Sequence, residues 1–168
     1  WVSNGVYETG GVAGYPMATD VLTNRVAIHK PITVRSVNGS AATIIKGVRP
    51  VGNAAVRGVF MTNGASLIGF TVTNGATCEN GDGERERSGG GVWCQSTNAV
   101  VSNCVIASSV NSYAGGAGVW RGALYNCVLN ANEGNGATYS LLYNCVLTRN
   151  TAYAGGGASE STLYGCLL

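Results

Sequence analysis

The chain is poor in charge, in proline and in paired carboxylates, and each shortage closes off a class of protein. Of 168 residues only 11% are Asp, Glu, Lys or Arg, so the charged helix-formers that fill the solvent faces of helical domains are missing. There are 3 prolines against 26 glycines, and the glycines follow no three-residue period, which excludes a collagen-like chain. One histidine, His29, and no Cys-x-x-Cys pair leave no recognisable zinc site among 6 cysteines. No apolar run approaches the about 18–20 residues of a membrane-spanning helix. A net charge of +2 marks no nucleic-acid surface and no site for an acidic partner.

What is present is a phrase that returns four times: Val101-Ser102-Asn103-Cys104-Val105-Ile106, Leu124-Tyr125-Asn126-Cys127-Val128-Leu129, Leu142-Tyr143-Asn144-Cys145-Val146-Leu147 and Leu163-Tyr164-Gly165-Cys166-Leu167-Leu168. Short β-forming segments recurring every ~20–25 residues between glycine clusters define a solenoid of strands. The expectation is an all-β, right-handed parallel β-helix of about five to six coils stacked ~4.8 Å apart. Residues 1–75 read as irregular coils, 79–90 as a loop insertion and 91–168 as regular Asn-Cys coils of a single domain. The chain opens on strand-like Trp1-Val2-Ser3-Asn4-Gly5 with no signal peptide and stops inside a repeat phrase. Residues 1–168 are therefore expected to be a segment of a longer protein, with uncapped ends open to end-to-end self-association.

Position within the phrase assigns roles. Phe70, Cys104, Cys127, Cys145 and Cys166 fall at one repeat position, and a site that accepts Phe or Cys is an apolar core ladder in which a free thiol acts as a small hydrophobe. Ile32 reads as the equivalent of Phe70 one coil earlier. Asn103, Asn126 and Asn144, replaced by Gly69 and Gly165 in flanking coils, form a corner ladder in the left-handed region, with amides able to bond from coil to coil. The glycine clusters 89–91, 115–118, 134–136 and 155–157 read as tight or left-handed corners. Cys78 and Cys94 bracket the polar insertion, and a bridge between them stays open beside two free thiols.

Asn4-Gly5-Val6-Tyr7-Glu8, His29-Lys30-Pro31-Ile32-Thr33-Val34, Asn38-Gly39 and Thr43-Ile44-Ile45-Lys46-Gly47 resemble the first coils of pectin-lyase-like right-handed β-helix proteins. The later Asn-Cys and Gly-Gly-Gly coils resemble those of secreted bacterial β-helix proteins, including polymorphic-outer-membrane-type passengers. The resemblance covers nearly the whole chain. It implies a secreted or cell-surface bacterial setting, but the fold hosts lyases, hydrolases, esterases and adhesins alike. The enzymes of this group imply clustered carboxylates. Here the acidic residues are Asp20, Asp82, Glu8, Glu79, Glu84, Glu86, Glu133 and Glu160, and none recurs at one strand position on adjacent coils. No catalytic residue is assigned.

Two binding features remain. Asp82, Glu84 and Glu86 alternate in the insertion and offer hard oxygen ligands to Ca²⁺. The interleaved Arg85 and Arg87 neutralise them, and the competing reading is a solvated loop of internal ion pairs; no other cofactor is expected. Trp93, Trp120 and Tyr139 follow the glycine clusters in successive coils and are expected in a column on the outer face, with Tyr125, Tyr143 and Tyr164 in a second. Stacked aromatics pack well on a sheet, and an exposed apolar stripe also marks a binding surface. If a polysaccharide or surface glycan is the partner, Trp93, Trp120, Arg121 and Tyr139 are its candidate contacts. The expected function is a non-catalytic adhesin or carbohydrate-contact stalk. The alternatives are a fragment of a polysaccharide lyase or glycoside hydrolase, and a structural solenoid that self-associates.

Overall fold

The computed structural model describes residues 1–113, 115–153 and 155–168, and among these it contains strands, bridges and turns but no helix. Three strands make a coil. The first three coils hold β1 (Gly5–Tyr7), β2 (Thr23–Ile28), β3 (Thr33–Arg35), β4 (Thr43–Lys46), β5 (Val56–Met61), β6 (Ser66–Ile68), β7 (Thr71–Thr73), β8 (Val92–Cys94) and β9 (Val100–Ser102). The next three hold β10 (Val105–Ala107), β11 (Val119–Trp120), β12 (Ala123–Tyr125), β13 (Val128–Asn130), β14 (Ala137–Thr138), β15 (Leu141–Tyr143), β16 (Val146–Thr148), β17 (Ala158–Ser159) and β18 (Thr162–Tyr164). Each strand joins its counterparts one coil away in one of three six-stranded sheets, β1-β4-β7-β10-β13-β16, β2-β5-β8-β11-β14-β17 and β3-β6-β9-β12-β15-β18. All pairings within them are parallel, and the architecture is a parallel β-helix of six coils. No helix of the described residues is long and apolar enough to cross a membrane.

Three-residue strands need only one inward side chain each, and the registers line these up. In the third sheet Val34, Leu67, Val101, Leu124, Leu142 and Leu163 stack from coil to coil. In the first, Ile45, Val72, Ile106, Leu129 and Leu147 do the same. These columns fill one continuous core, in which each fully buried Leu or Ile contributes roughly 1.5–3 kcal/mol. Coil length varies because loops, not strands, absorb insertions: the first coil takes 38 residues (5 to 43) and the fifth 18 (128 to 146).

Phe70, Cys104, Cys127 and Cys145 lie just before the first-sheet strands, each 1% exposed, and Cys166 is half-buried. The thiols do more than fill space. Cys104, Cys127 and Cys145 donate to the carbonyls two residues back, at 3.2 Å to Ser102, 3.3 Å to Tyr125 and 3.4 Å to Tyr143. Each closes the corner made by the intervening Asn, whose φ is 52°, 53° and 53° at Asn103, Asn126 and Asn144. The equivalent of Phe70 in the preceding coil is Thr43 rather than Ile32. Thr33 pairs with Ser66, which places Ile32 on the approach to the third sheet, and its side chain is exposed. Thr43 is buried and hydrogen-bonded to Ser36 at 2.7 Å.

The corner amides point to solvent, and the coil-to-coil amide ladder runs further along instead, five residues after Cys127 and Cys145. Asn150 Oδ1 accepts from Asn132 Nδ2 at 2.8 Å, Asn132 Oδ1 accepts from the Ser109 amide, and Asn150 Nδ2 donates to the Leu129 carbonyl. The glycine clusters have two causes: Gly89, Gly134 and Gly155 take the positive φ expected of a corner, at 65°, 133° and 65°, and their neighbours answer a close approach of backbones. Gly58, Gly91, Gly118 and Gly136 have ordinary φ, and a Cβ on each would lie 2.3–2.6 Å from a glycine carbonyl of the next coil, for Gly118 the oxygen of Gly136 at 2.3 Å. These glycines let two backbones touch, Gly58 within β5 and the other three just before β8, β11 and β14.

Candidate functional site

The outward face of the second sheet carries the column Ala27, Phe60, Trp93, Trp120, Thr138, Ser159 in register. Phe60 joins the two tryptophans, and Thr138, not Tyr139, occupies the next step. Tyr139 sits one residue on, past the strand end with φ 53°, and meets Trp120 edge-on at 5.0 Å. An exposed stripe was the expectation; instead Trp93 and Trp120 are each 3% exposed and form a second small core with Phe60. Tyr15 stacks on Phe60 at 5.4 Å and Phe60 on Trp93 at 5.5 Å. The cover comes from segments distant in sequence, the N-terminal arm around Tyr15 and the 79–90 insertion, whose Glu84 carbonyl accepts from Trp93 Nε1 at 2.7 Å.

That insertion is docked rather than solvated. Arg57, fully buried on β5, donates to Asn24 Oδ1 at 3.1 Å, to the Gly89 and Ser88 carbonyls at 3.0 Å each, and to the Arg85 carbonyl. Burial pulls its guanidinium down to about 9, still charged at neutral pH. The buried carboxylate of Glu86 accepts from the Val21 and Asp82 amides at 2.8 and 3.0 Å. Asp82 Oδ1 accepts from the amides of Glu84 and Arg85, and Arg85 bridges Asp82 and the buried Asp20 at 3.1 Å each. Glu84 pairs with Arg121 at 3.0 Å, and the Arg121 guanidinium lies over Trp120. Asp82, Glu84 and Glu86 therefore hold the loop together. No group of three or more His, Cys, Asp or Glu side chains among the described residues is arranged to take a metal ion. Asp20, Asn24 and Arg57 complete the network, and their only mark in the sequence is that polar residues stand in or beside early strands.

The third sheet presents the opposite case. Tyr125, Tyr143 and Tyr164 are in register, stacked at 4.8 and 4.9 Å with rings 5° and 9° from parallel. Tyr125 is 38% and Tyr164 53% exposed. Their faces cover one another, so a ligand meets ring edges and a row of phenol oxygens. Asn126 and Asn144, exposed at the adjacent corner, set amide donors and acceptors beside that row.

The cysteines offer no reactive thiolate at Cys94, Cys104 or Cys127. All six are free, and Cys78 and Cys94 belong to separate apolar clusters. Burial pushes Cys94 up to about 12 and Cys104 up to about 11, and Cys127, against the thiol of Cys145 and buried, is raised as well. The unfolded chain's thiol releases its proton near 9 while folded Cys94 holds it to about 12. Between those values the unfolded state binds fewer protons, so stability falls as pH rises. Relative to Cys94→Ala, the parent should lose up to about 1.4 kcal/mol per pH unit in that window. Urea unfolding on both sides of pH 9 checks it, and parallel pH profiles for the two proteins would contradict it.

Compared with protein-family models, with curated proteins and with solved structures, the chain matches none. The class is set by the fold itself, a parallel β-helix with a closed apolar interior.

Proposed function

We propose that this β-helix is a non-catalytic secreted or cell-surface module, of the pectin-lyase-like type, that contacts a polysaccharide or surface glycan along the tyrosine face of the third sheet. The observation that carries the reading is the surface ladder of exposed Tyr125, half-buried Tyr143 and exposed Tyr164, with Asn126 and Asn144 beside it. An extended glycan repeats the same hydroxyl pattern along its length, and a row of phenols and amides repeating at 4.8–4.9 Å offers matching partners at each step. Each hydrogen bond adds little alone, so binding should grow with the number of steps engaged. A lyase or hydrolase reading finds less support, since the buried carboxylates Asp20 and Glu86 are occupied by Arg85 and by backbone amides.

A glycan array on the parent and on a Tyr125→Ala/Tyr143→Ala variant tests this. The expected result is binding of polymeric glycans by the parent and a loss of at least about tenfold in the variant. Equal binding by both, or cleavage of uronate polymers in the presence of Ca²⁺, would contradict the proposal.

A further inference from the structure

The six strands of the third sheet carry one charged residue, Arg35 at the end of β3. Val34 before it packs against the core, so Arg35 points outward and is exposed. The registers place Ile68, Ser102, Tyr125, Tyr143 and Tyr164 beyond it in one column. On its other side Val2 bridges Ser36 in parallel, which sets Trp1 beside Arg35. The guanidinium lies 5.3 Å from the centre of that ring. The tyrosine ladder is thus the far half of a longer face that includes Trp1 and Arg35.

That face is not flat. Between the large side chains of Trp1 and Arg35 and the first phenol at Tyr125, the column drops to Ile68 and Ser102. The adjoining corner drops with it. Gly69, at φ 78°, stands where Asn103, Asn126 and Asn144 stand in later coils, so the corner there carries no side chain. The result is a notch of about 390 Å³ with Trp1, Arg35, Ile68, Gly69 and Asn103 in its wall, within the size range of ligand sites. Arg35 has no acid to answer it: the ion pairs of the described residues use Lys46, Arg49, Arg85 and Arg121. An exposed arginine is ordinary on a surface. One set in a notch, on strands otherwise free of charge, presents a fork of donors to a carboxylate or a sulfate.

We infer that this face recognises a glycan bearing one isolated acidic sugar, whose anionic group pairs with Arg35 in the notch while neutral sugars run over Ser102 onto the tyrosine ladder. The inference rests on the reading of the tyrosine face as a glycan surface and adds which glycan it takes. Spacing selects the isolated charge. From Arg35 to Tyr125 is three coil steps, ~14 Å, and along them the face offers an apolar side chain, a hydroxyl and a phenol but no second cation. A polymer charged on each ring would press further anions against Ile68 and the phenols without a counter-charge, a desolvation cost that neutral rings avoid.

The test reads a glycan array in matched sets: neutral oligosaccharides, the same chains carrying one sialic acid (a carboxylate) or one sulfate, and oligogalacturonates charged on every ring. Titration of the best-bound set then gives affinities. The sialylated or the sulfated chain should bind the parent about three- to tenfold more tightly than its neutral counterpart, and the tighter of the two identifies the anion. Arg35→Gln should remove that preference, leave binding of the neutral chain unchanged and melt like the parent, since the side chain is exposed. In ¹⁵N-labelled parent the Trp1 indole N–H signal should shift with the acidic chain and stay in place with the neutral one. Equal binding of neutral and acidic chains by the parent, or a preference that survives in Arg35→Gln, would overturn the assignment and leave the tyrosine face a glycan surface. Tighter binding of oligogalacturonates than of the singly charged chains would overturn it in the same way. Full affinity in Tyr125→Ala/Tyr143→Ala, or binding of no glycan in any set, would instead fail the tyrosine-face reading and this inference with it.

Discussion

Gly118→Ala should destabilise the protein by about 3 kcal/mol or more, lowering the melting temperature by roughly 6–12 °C for a chain of this length. The cause is a contact between coils. Alanine at 118 would place its Cβ 2.3 Å from the Gly136 carbonyl oxygen and 3.0 Å from Asn132 Nδ2. Neither neighbour can yield cheaply. The Gly136 carbonyl accepts from the Val119 amide at 2.9 Å, and Asn132 Nδ2 is bonded to Ile106 O and Asn150 Oδ1. Gly83→Ala is the matched control, since a Cβ there meets nothing nearer than 3.4 Å, on Tyr113. It should change stability by less than about 0.5 kcal/mol. Thermal melts of both variants check the pair, and a Gly118→Ala protein as stable as Gly83→Ala would contradict the close-approach account.

Arg57→Met should cost about 3–5 kcal/mol and release the 79–90 insertion from the tryptophan column. Methionine replaces the hydrocarbon of arginine but none of its donors. The Gly89, Ser88 and Arg85 carbonyls and Asn24 Oδ1 would then be left without the bonds that Arg57 makes, and the buried carboxylates of Asp20 and Glu86 would lose a neighbouring positive charge. Arg57→Lys keeps the charge but loses the fork that reaches several acceptors at once, and should fall between parent and Arg57→Met. The released loop exposes Trp93, so urea unfolding and acrylamide quenching of tryptophan fluorescence should change together. A destabilised Arg57→Met whose quenching matches the parent would mean that the arginine supports β5 but does not seat the loop.

These two residues also show where a sequence can and cannot be read. The Leu-Tyr-Asn-Cys phrase is legible because a solenoid repeats its local chemistry at each coil. Leu124 inward, Tyr125 outward, Asn126 left-handed and Cys127 inward all follow from one copy. Gly118 is legible as a required glycine but not for its reason, because positive φ and close backbone approach leave the same letter in the sequence. Asn132 and Asn150 stand at a fixed offset from Cys127 and Cys145, a periodic signal masked by the more obvious corner asparagines. The cover over Trp93 carries no such signal. Arg57 and the insertion are about 30 residues apart, Tyr15 and Phe60 about 45, and no periodicity records that one segment folds across another. The candidate site shifted for that reason. A column of tryptophans reads as an open ligand surface until the loop that closes over it is placed, and the tyrosines of the third sheet, with no insertion beside them, remain at the surface.

The central claim is therefore a division between the two aromatic columns, one closed and one open. Hydroxyl-radical footprinting of the intact protein, read residue by residue by mass spectrometry, tests it in one experiment. The account predicts strong labelling of Tyr125 and Tyr164 and weaker labelling of half-buried Tyr143, with Trp1 as the exposed internal standard and Trp93 and Trp120 protected. Labelling of Trp93 and Trp120 at the level of Trp1, or protection of the three tyrosines, would contradict it.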